Sequence, residues 1–157
     1  MVSMVKFGYS YNKAHDPTKV ARAMGRDMRI SPKDAVEVCN AIKGRDLDDA
    51  LDYLEGVAEG LEVVPYKRYF RKISHKRSLQ GWHSGKSPLR ASEAILELLE
   101  NAQSNAKYKG MDETALFVRH ASARRGFTIR GFRHRARGRV LAFDTPTANV
   151  EIWLGEK

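Results

Sequence analysis

The sequence reads as an α+β fold on three observations. Residues 31–108 carry three stretches whose apolar residues recur at helical spacing. The chain after them alternates like β structure, clearest over 115–123 and 148–154. Between those strands lies an arginine-rich segment with the length and glycine punctuation of a hairpin. No internal repeat or low-complexity tract interrupts this order. A chain of 157 residues, 42% hydrophobic, fits one domain with a real core, or one domain with extensions.

Residues 1–20 carry tyrosines and lysines without periodicity and read as an N-terminal arm. Residues 21–30 could hold one short strand. Ser31 is a candidate N-cap, and Pro32 suits the first helical position because its missing N–H is not needed there. Ala35, Val38, Cys39 and Ile42 then share a helical face, and Gly44 can supply the left-handed stop. Cys39 on that face reads as a core residue. In the second helix Asp46 can act as the cap, with Asp48 and Asp49 in the favourable first turn. Leu47, Ala50, Leu51, Leu54, Val57, Ala58 and Leu61 form its expected buried stripe. Residues 31–62 hold nine of the nineteen acidic residues, expected as a solvated face. A third helix is expected from near Ser87-Pro88 to about Tyr108, closed by Gly110, with Ala91, Ile95, Leu98, Leu99, Ala102 and Ala106 inward. In the last strand Ala148, Val150, Ile152 and Leu154 alternate with Asn149, Glu151 and Trp153.

Charge narrows the class of partner. The formal net charge is +9 and the isoelectric point about 9.8, which favours a polyanion. One cysteine permits no intramolecular disulfide and no cysteine-rich zinc site. No stretch has the apolar length of a membrane span, and the first residues lack the apolar run of a secretion signal. A soluble intracellular protein is expected.

The excess charge is concentrated. From Arg119 to Arg139 there are eight arginines and two histidines, and no acid lies between Glu113 and Asp144. A turn near Arg130–Arg135 would leave arms of about fourteen residues, or roughly 45 Å. A body of this size has a radius of gyration of about 13 Å, so the distal hairpin cannot lie wholly over its own core. Phe127, Ile129 and Phe132 are too sparse to bury a face, and two isolated strands are marginal in water. Ordered phosphates would supply the missing stabilisation, because guanidinium forks match phosphate oxygens. Arg119, Arg124, Arg125, Arg130, Arg133, His134, Arg135, Arg137 and Arg139 are therefore candidate nucleic-acid contacts, with Phe127 and Phe132 as stacking candidates.

A second basic cluster precedes the third helix. Between Glu62 and Glu93 there are eight lysines or arginines and no acid. Lys67, Arg68, Arg71, Lys72, Lys76 and Arg77 are candidate phosphate contacts, and Tyr66 and Tyr69 candidate stacking rings. Lys86, beside the free N–H groups of the helix start, is a further phosphate candidate. Gly81 to Ser87 superficially resembles a nucleotide-binding loop, but the first glycine would fall at Gln80 and no βαβ pattern surrounds it. His15, His75, His83, His120 and His134 show no metal spacing. No serine or cysteine nucleophile is recognisably paired with histidine and carboxylate. No enzyme, metal or cofactor is expected.

Several segments together resemble one family. Asp52-Tyr53-Leu54-Glu55-Gly56-Val57, Val64-Pro65-Tyr66-Lys67 and Gly81-Trp82 precede Ala91-Ser92-Glu93-Ala94-Ile95-Leu96-Glu97-Leu98-Leu99-Glu100-Asn101-Ala102. His120-Ala121-Ser122-Ala123 and Arg135-Ala136-Arg137-Gly138-Arg139 follow. In that order they resemble the universal large-subunit ribosomal protein L twenty-two family, in its archaeal and eukaryotic branch, over roughly residues 21–155. The family commonly has proline where this chain has His134. The resemblance implies three helices packed on a small antiparallel three-stranded sheet with a long protruding β-hairpin. It implies one RNA-binding domain over 21–157, its basic hairpin extension at about 119–143. It further implies a structural constituent of the large ribosomal subunit, cytoplasmic, with its body near the tunnel exit and its hairpin lining the nascent-peptide tunnel. Expected partners are large-subunit rRNA, neighbouring large-subunit proteins and the nascent polypeptide, with neither membrane nor homo-oligomer. A free-standing RNA chaperone or DNA-binding protein is the rival binding class, and a nucleotide-using enzyme the rival beyond it.

Overall fold

The computed structural model describes Gly8, Tyr9 and residues 19–156. The expected N-terminal arm lies almost wholly outside the described residues, as does His15.

Local signals set the helices. The Ser31 Oγ accepts from the Asp34 N–H at 3.4 Å, and Pro32 opens α1 (Pro32–Ile42). Gly44 takes a positive φ of 85° and turns its N–H to the Val118 carbonyl at 2.8 Å, tying the helix end to a strand. Helix α2 spans Leu47–Ala58; Asp46 occupies its cap position without a side-chain cap hydrogen bond. It ends earlier than its apolar stripe suggests. Gly60 adopts φ 81°, and the N–H groups of Leu61 and Glu62 both return to the Gly56 carbonyl, at 2.9 and 3.0 Å. That closure throws Leu61 outward, so this expected stripe residue is 76% exposed. After the two-residue strands β2 (Val64–Pro65) and β3 (Gly85–Lys86), helix α3 runs Leu89–Tyr108, with Gly110 at φ 72° behind it.

Strand β1 (Val20–Met28) is longer than the short strand expected. It pairs with β7 (Thr145–Glu156), which also pairs with β4 (Leu116–Ile129), giving an antiparallel sheet in the order β1-β7-β4. The helices cover one face. Ala148, Val150, Ile152 and Leu154 of the central strand are fully buried among Ala35, Ile42, Leu54, Ile95 and Leu99. The opposite face is not simply wet. Trp153, expected to alternate outward, is also fully buried, with the Arg22 guanidinium 4.1 Å from its ring centroid and the His120 ring at 5.9 Å.

Beyond Met28, paired with Ala148, β4 and β7 continue as a two-stranded ribbon to the pair Ile129 and Thr145. The ribbon resumes as β5 (Phe132–His134) and β6 (Val140–Ala142). The turn lies at Ala136–Gly138, not near Arg130–Arg135. Arg137 and Gly138 take the left-handed conformations that reverse the chain, at φ 62° and 69°. Gly131 serves instead for close approach, since a Cβ there would sit 2.6 Å from the Phe143 carbonyl oxygen.

Candidate nucleic-acid interface

The distal ribbon leans on no other described element. Every residue from Phe132 to Thr145 is exposed, including Arg133, His134, Arg135, Arg137 and Arg139. Arg130, just before it, is exposed too. Phe127 and Phe132 are 66% and 73% exposed, and Val140, Leu141 and Phe143 join them. Among the described residues none of the arginines at 124–139 forms an ion pair with a carboxylate. Cationic forks and open rings therefore share one wet surface whose charge the chain does not neutralise.

The root of this ribbon is held by a polar latch. Strands β1 and β4 bulge at the same level, at 26–27 and 126–127. Asp27, in the left-handed region at φ 47°, reaches across central β7. Its Oδ1 accepts from the Phe127 N–H at 3.0 Å and lies 3.2 Å from the Thr147 hydroxyl oxygen, whose proton goes to the Phe127 carbonyl at 2.5 Å. Its own N–H donates to Asn149 Oδ1 at 2.7 Å. Gly126 sits where these groups converge. A Cβ there would meet oxygens of Asp27, Thr147 and Asn149 at 2.6, 2.7 and 2.9 Å.

The second basic cluster is fastened by acids of α1. Glu37 is only 1% exposed. Its carboxylate accepts the backbone N–H groups of Lys67, Arg68 and Tyr69 at 3.2, 2.8 and 2.6 Å. Asp34 accepts the Tyr66 hydroxyl at 2.7 Å and pairs with Lys86 Nζ at 3.3 Å. The expectation of a wholly solvated acidic face is thus corrected at both positions. A helical spacing of three points them at the loop, where they satisfy a chain that lacks its own ladder.

These contacts sort the candidates. Lys67, Arg68, Arg71, Lys72, Lys76 and Arg77 are exposed. Tyr66 is 1% exposed and belongs to the core, which corrects its assignment as a stacking ring. Burial, the hydrogen bond to Asp34 and the charges of Asp34 and Glu37 all push its hydroxyl above the usual tyrosine range. Tyr69 is half-buried, with Arg68 and Lys33 5.5 and 5.8 Å from its ring centroid. Lys86 is not the free cation expected beside a helix start, because Asp34 holds it. The N–H groups of Leu89, Ala91 and Ser92 also find carbonyls, of Ser87 and Pro88.

The two basic segments meet. One open groove of about 500 Å³ is lined by Lys33, Arg68, Tyr69, Arg71 and Lys72. Its neighbour, about 560 Å³, shares Lys33, Arg68 and Tyr69 and adds Arg124 and Arg125 at the hairpin root. Sequence reasoning missed Lys33, whose signal is its place one residue after the proline that opens α1. Arg119 is exposed farther down β4, its side chain lying against Gly155. Burial, then the charges of Lys43 and Arg124, lower the pKa of His120. No group of three or more His, Cys, Asp or Glu that could hold a metal occurs among the described residues. No described helix is long and apolar enough to cross a membrane.

Comparison with known families shows which family the chain belongs to. Residues 23–155 match the family described as ribosomal protein L22p/L17e. The chain belongs to that family. Large ribosomal subunit protein uL22 of Methanococcus aeolicus is 44% identical over 147 residues, covering 94% of this chain and 96% of the relative. The protein of the same name from Methanosphaera stadtmanae is 44% identical over 148 residues, with 94% and 96% covered. That of Haloarcula marismortui is 39% identical over 149 residues, with 95% and 96% covered. In this member of the L22p/L17e family, the matched span takes in the latch, the loop fastened by Glu37 and the whole basic ribbon. The resemblance read from the ordered segments and the family match coincide.

Proposed function

We propose that this chain is a structural, non-catalytic constituent of the large ribosomal subunit that acts by binding large-subunit rRNA. One α+β domain over 21–157 does this, through its 67–77 loop, the shared groove and the ribbon. The observation that carries the reading is the ribbon itself. From Phe132 to Thr145 it is exposed on every residue, rich in arginine and short of carboxylate. Such a ribbon gains its order from a polyanion, and the relatives named as large ribosomal subunit proteins support rRNA as that polyanion. Arg124, Arg125, Arg130, Arg133, Arg135, Arg137 and Arg139 take phosphates, with Phe127 and Phe132 against bases. By resemblance to the family, the body sits near the exit of the peptide tunnel and the ribbon lines it, beside the nascent chain and neighbouring ribosomal proteins. That location puts the chain at work in the cytoplasm, within the subunit.

Salt dependence tests this. Affinity for a folded large-subunit rRNA fragment should fall about 10³–10⁵-fold between 50 and 200 mM salt for about 6–10 phosphate contacts. Replacing Arg133, Arg135, Arg137 and Arg139 together by alanine should flatten that slope by roughly one unit per lost contact. A slope indifferent to the four substitutions would refute the ribbon as an rRNA-binding element.

A further inference from the structure

The loop between β2 and β3 carries aromatic rings that the core does not use. The Trp82 indole N–H donates to the Tyr66 carbonyl at 2.8 Å, which pins the ring from behind. His83 stacks on it, with centroids 4.8 Å apart and an interplanar angle of 29°. His75 stands edge-on to His83 at 4.9 Å, and Phe70 edge-on to Trp82 at 6.2 Å. The backbone holds the set in place, with the Lys76 N–H on the His83 carbonyl at 2.9 Å and that of Gly85 on Ser74 at 3.2 Å. Yet the rings are not buried. Phe70 is 42% exposed, His75 and His83 are exposed, and Trp82 is half-buried.

Rings that only knit a loop together would turn inward, as Tyr66 does. Here four rings stay at the surface, with Trp82 pinned by its hydrogen bond and the loop backbone tied at Lys76 and Gly85. The loop's own charges carry one sign, while Asp34 and Glu37 of α1 hold its 66–69 stretch through Tyr66 and the backbone. Arg71, Lys72, Lys76 and Arg77 are all exposed, and no carboxylate occurs between Glu62 and Glu93. Open π surfaces in a loop this basic fit one ligand chemistry: an aromatic heterocycle attached to phosphates. Single-stranded nucleic acid is recognised by this combination of stacking and backbone attraction.

We propose that the Phe70, Trp82, His83 and His75 column is a stacking site for an unpaired RNA base, with Lys72, Lys76, Arg71 and Arg77 on the flanking phosphates. The proposal rests on the rRNA-binding reading and adds to it a base-recognising site on the body, apart from the ribbon. It also replaces Tyr66, which the core occupies, with rings that are available.

Tryptophan emission can read the site directly. The chain has two tryptophans, and Trp153 is fully buried, so quenching by an added ligand reports Trp82. The full chain would be titrated at fixed, mildly alkaline pH with a short single-stranded RNA and with an abasic strand of equal length. The base-bearing strand should quench saturably and the abasic strand should bind without quenching. Phe70→Ala with His83→Ala, both at exposed positions, should cost about tenfold in affinity for the base-bearing strand and leave the abasic strand unaffected. Lys72→Ala with Arg77→Ala should weaken both strands alike, and the melting temperature of each variant checks that it folds. Equal quenching by both strands, or an intact base preference in the ring variant, would overturn the column. A chain that binds folded rRNA with a steep salt slope but shows no base-dependent quenching loses only this site. A chain that binds no RNA at all loses the underlying reading as well.

Discussion

Glu37 accepts three backbone N–H groups while almost wholly out of water. Hydrogen bonds to a charged group are each worth about 1.5–3 kcal/mol net, and leaving a buried donor facing the wrong atom costs a similar amount. Glu37→Gln keeps the shape but turns an amide NH₂ toward donors. We expect it to destabilise the fold by about 2–3 kcal/mol, seen as a drop of roughly 4–12 °C in melting temperature. Glu93→Gln, on the exposed face of α3, should stay within about 0.5 kcal/mol. Equal effects of the two would show that the loop does not depend on Glu37. Cys39 illustrates the opposite outcome at residue scale. Its place on the apolar face of α1 foretold burial, and burial pushes its thiol up to about 12, as befits a packed core group.

The element that decides the ribbon's direction is the pair of matched bulges. A two-stranded ribbon without a third strand has no sheet to define its angle, so its root must be fixed at the last three-stranded level. Asp27 does this from β1, across Thr147, to Phe127. Adding a methyl at Gly126 would press on three hydrogen-bonded oxygens at once. Gly126→Ala should cost about 1–3 kcal/mol and speed trypsin cleavage at the ribbon arginines in the free protein. Asp27→Gly removes one of those oxygens without straining the left-handed backbone. In that background the Gly126→Ala penalty should shrink by at least about 0.5 kcal/mol. Strict additivity of the two substitutions would mean that they do not act on one latch.

For the molecule as a whole, charge is segregated. Asp48, Asp49, Asp52 and Glu55 of α2 and Glu93, Glu97 and Glu100 of α3 are exposed. The densest runs of cations lie on the loop, the groove and the ribbon. A polyanion repels the first surface and is drawn to the second. Asp48→Asn, Asp49→Asn and Asp52→Asn combined should therefore leave affinity for an rRNA fragment unchanged or tighter at moderate salt. A loss of tenfold or more, measured by filter binding, would place the acidic face in the interface and contradict this orientation.

Much of this was legible along the chain. Helix faces, the Ser31 cap, the glycine stops and the inward alternation of β7 are set by neighbours a few residues away, and spacing records such neighbours. The arginine density of the ribbon needed only counting, because a segment with eight arginines and too few apolar residues to bury a face cannot hide its charge. Two things waited on tertiary structure. Tyr66 and Glu37 turned inward because α1 lies against a loop about thirty residues on, a pairing that no local pattern encodes. The latch joins residues 100 or more positions apart, from Asp27 to Phe127 and Thr147. Long-range satisfaction of buried polar groups depends on which segments the sheet brings side by side, and that exists only once the chain has folded.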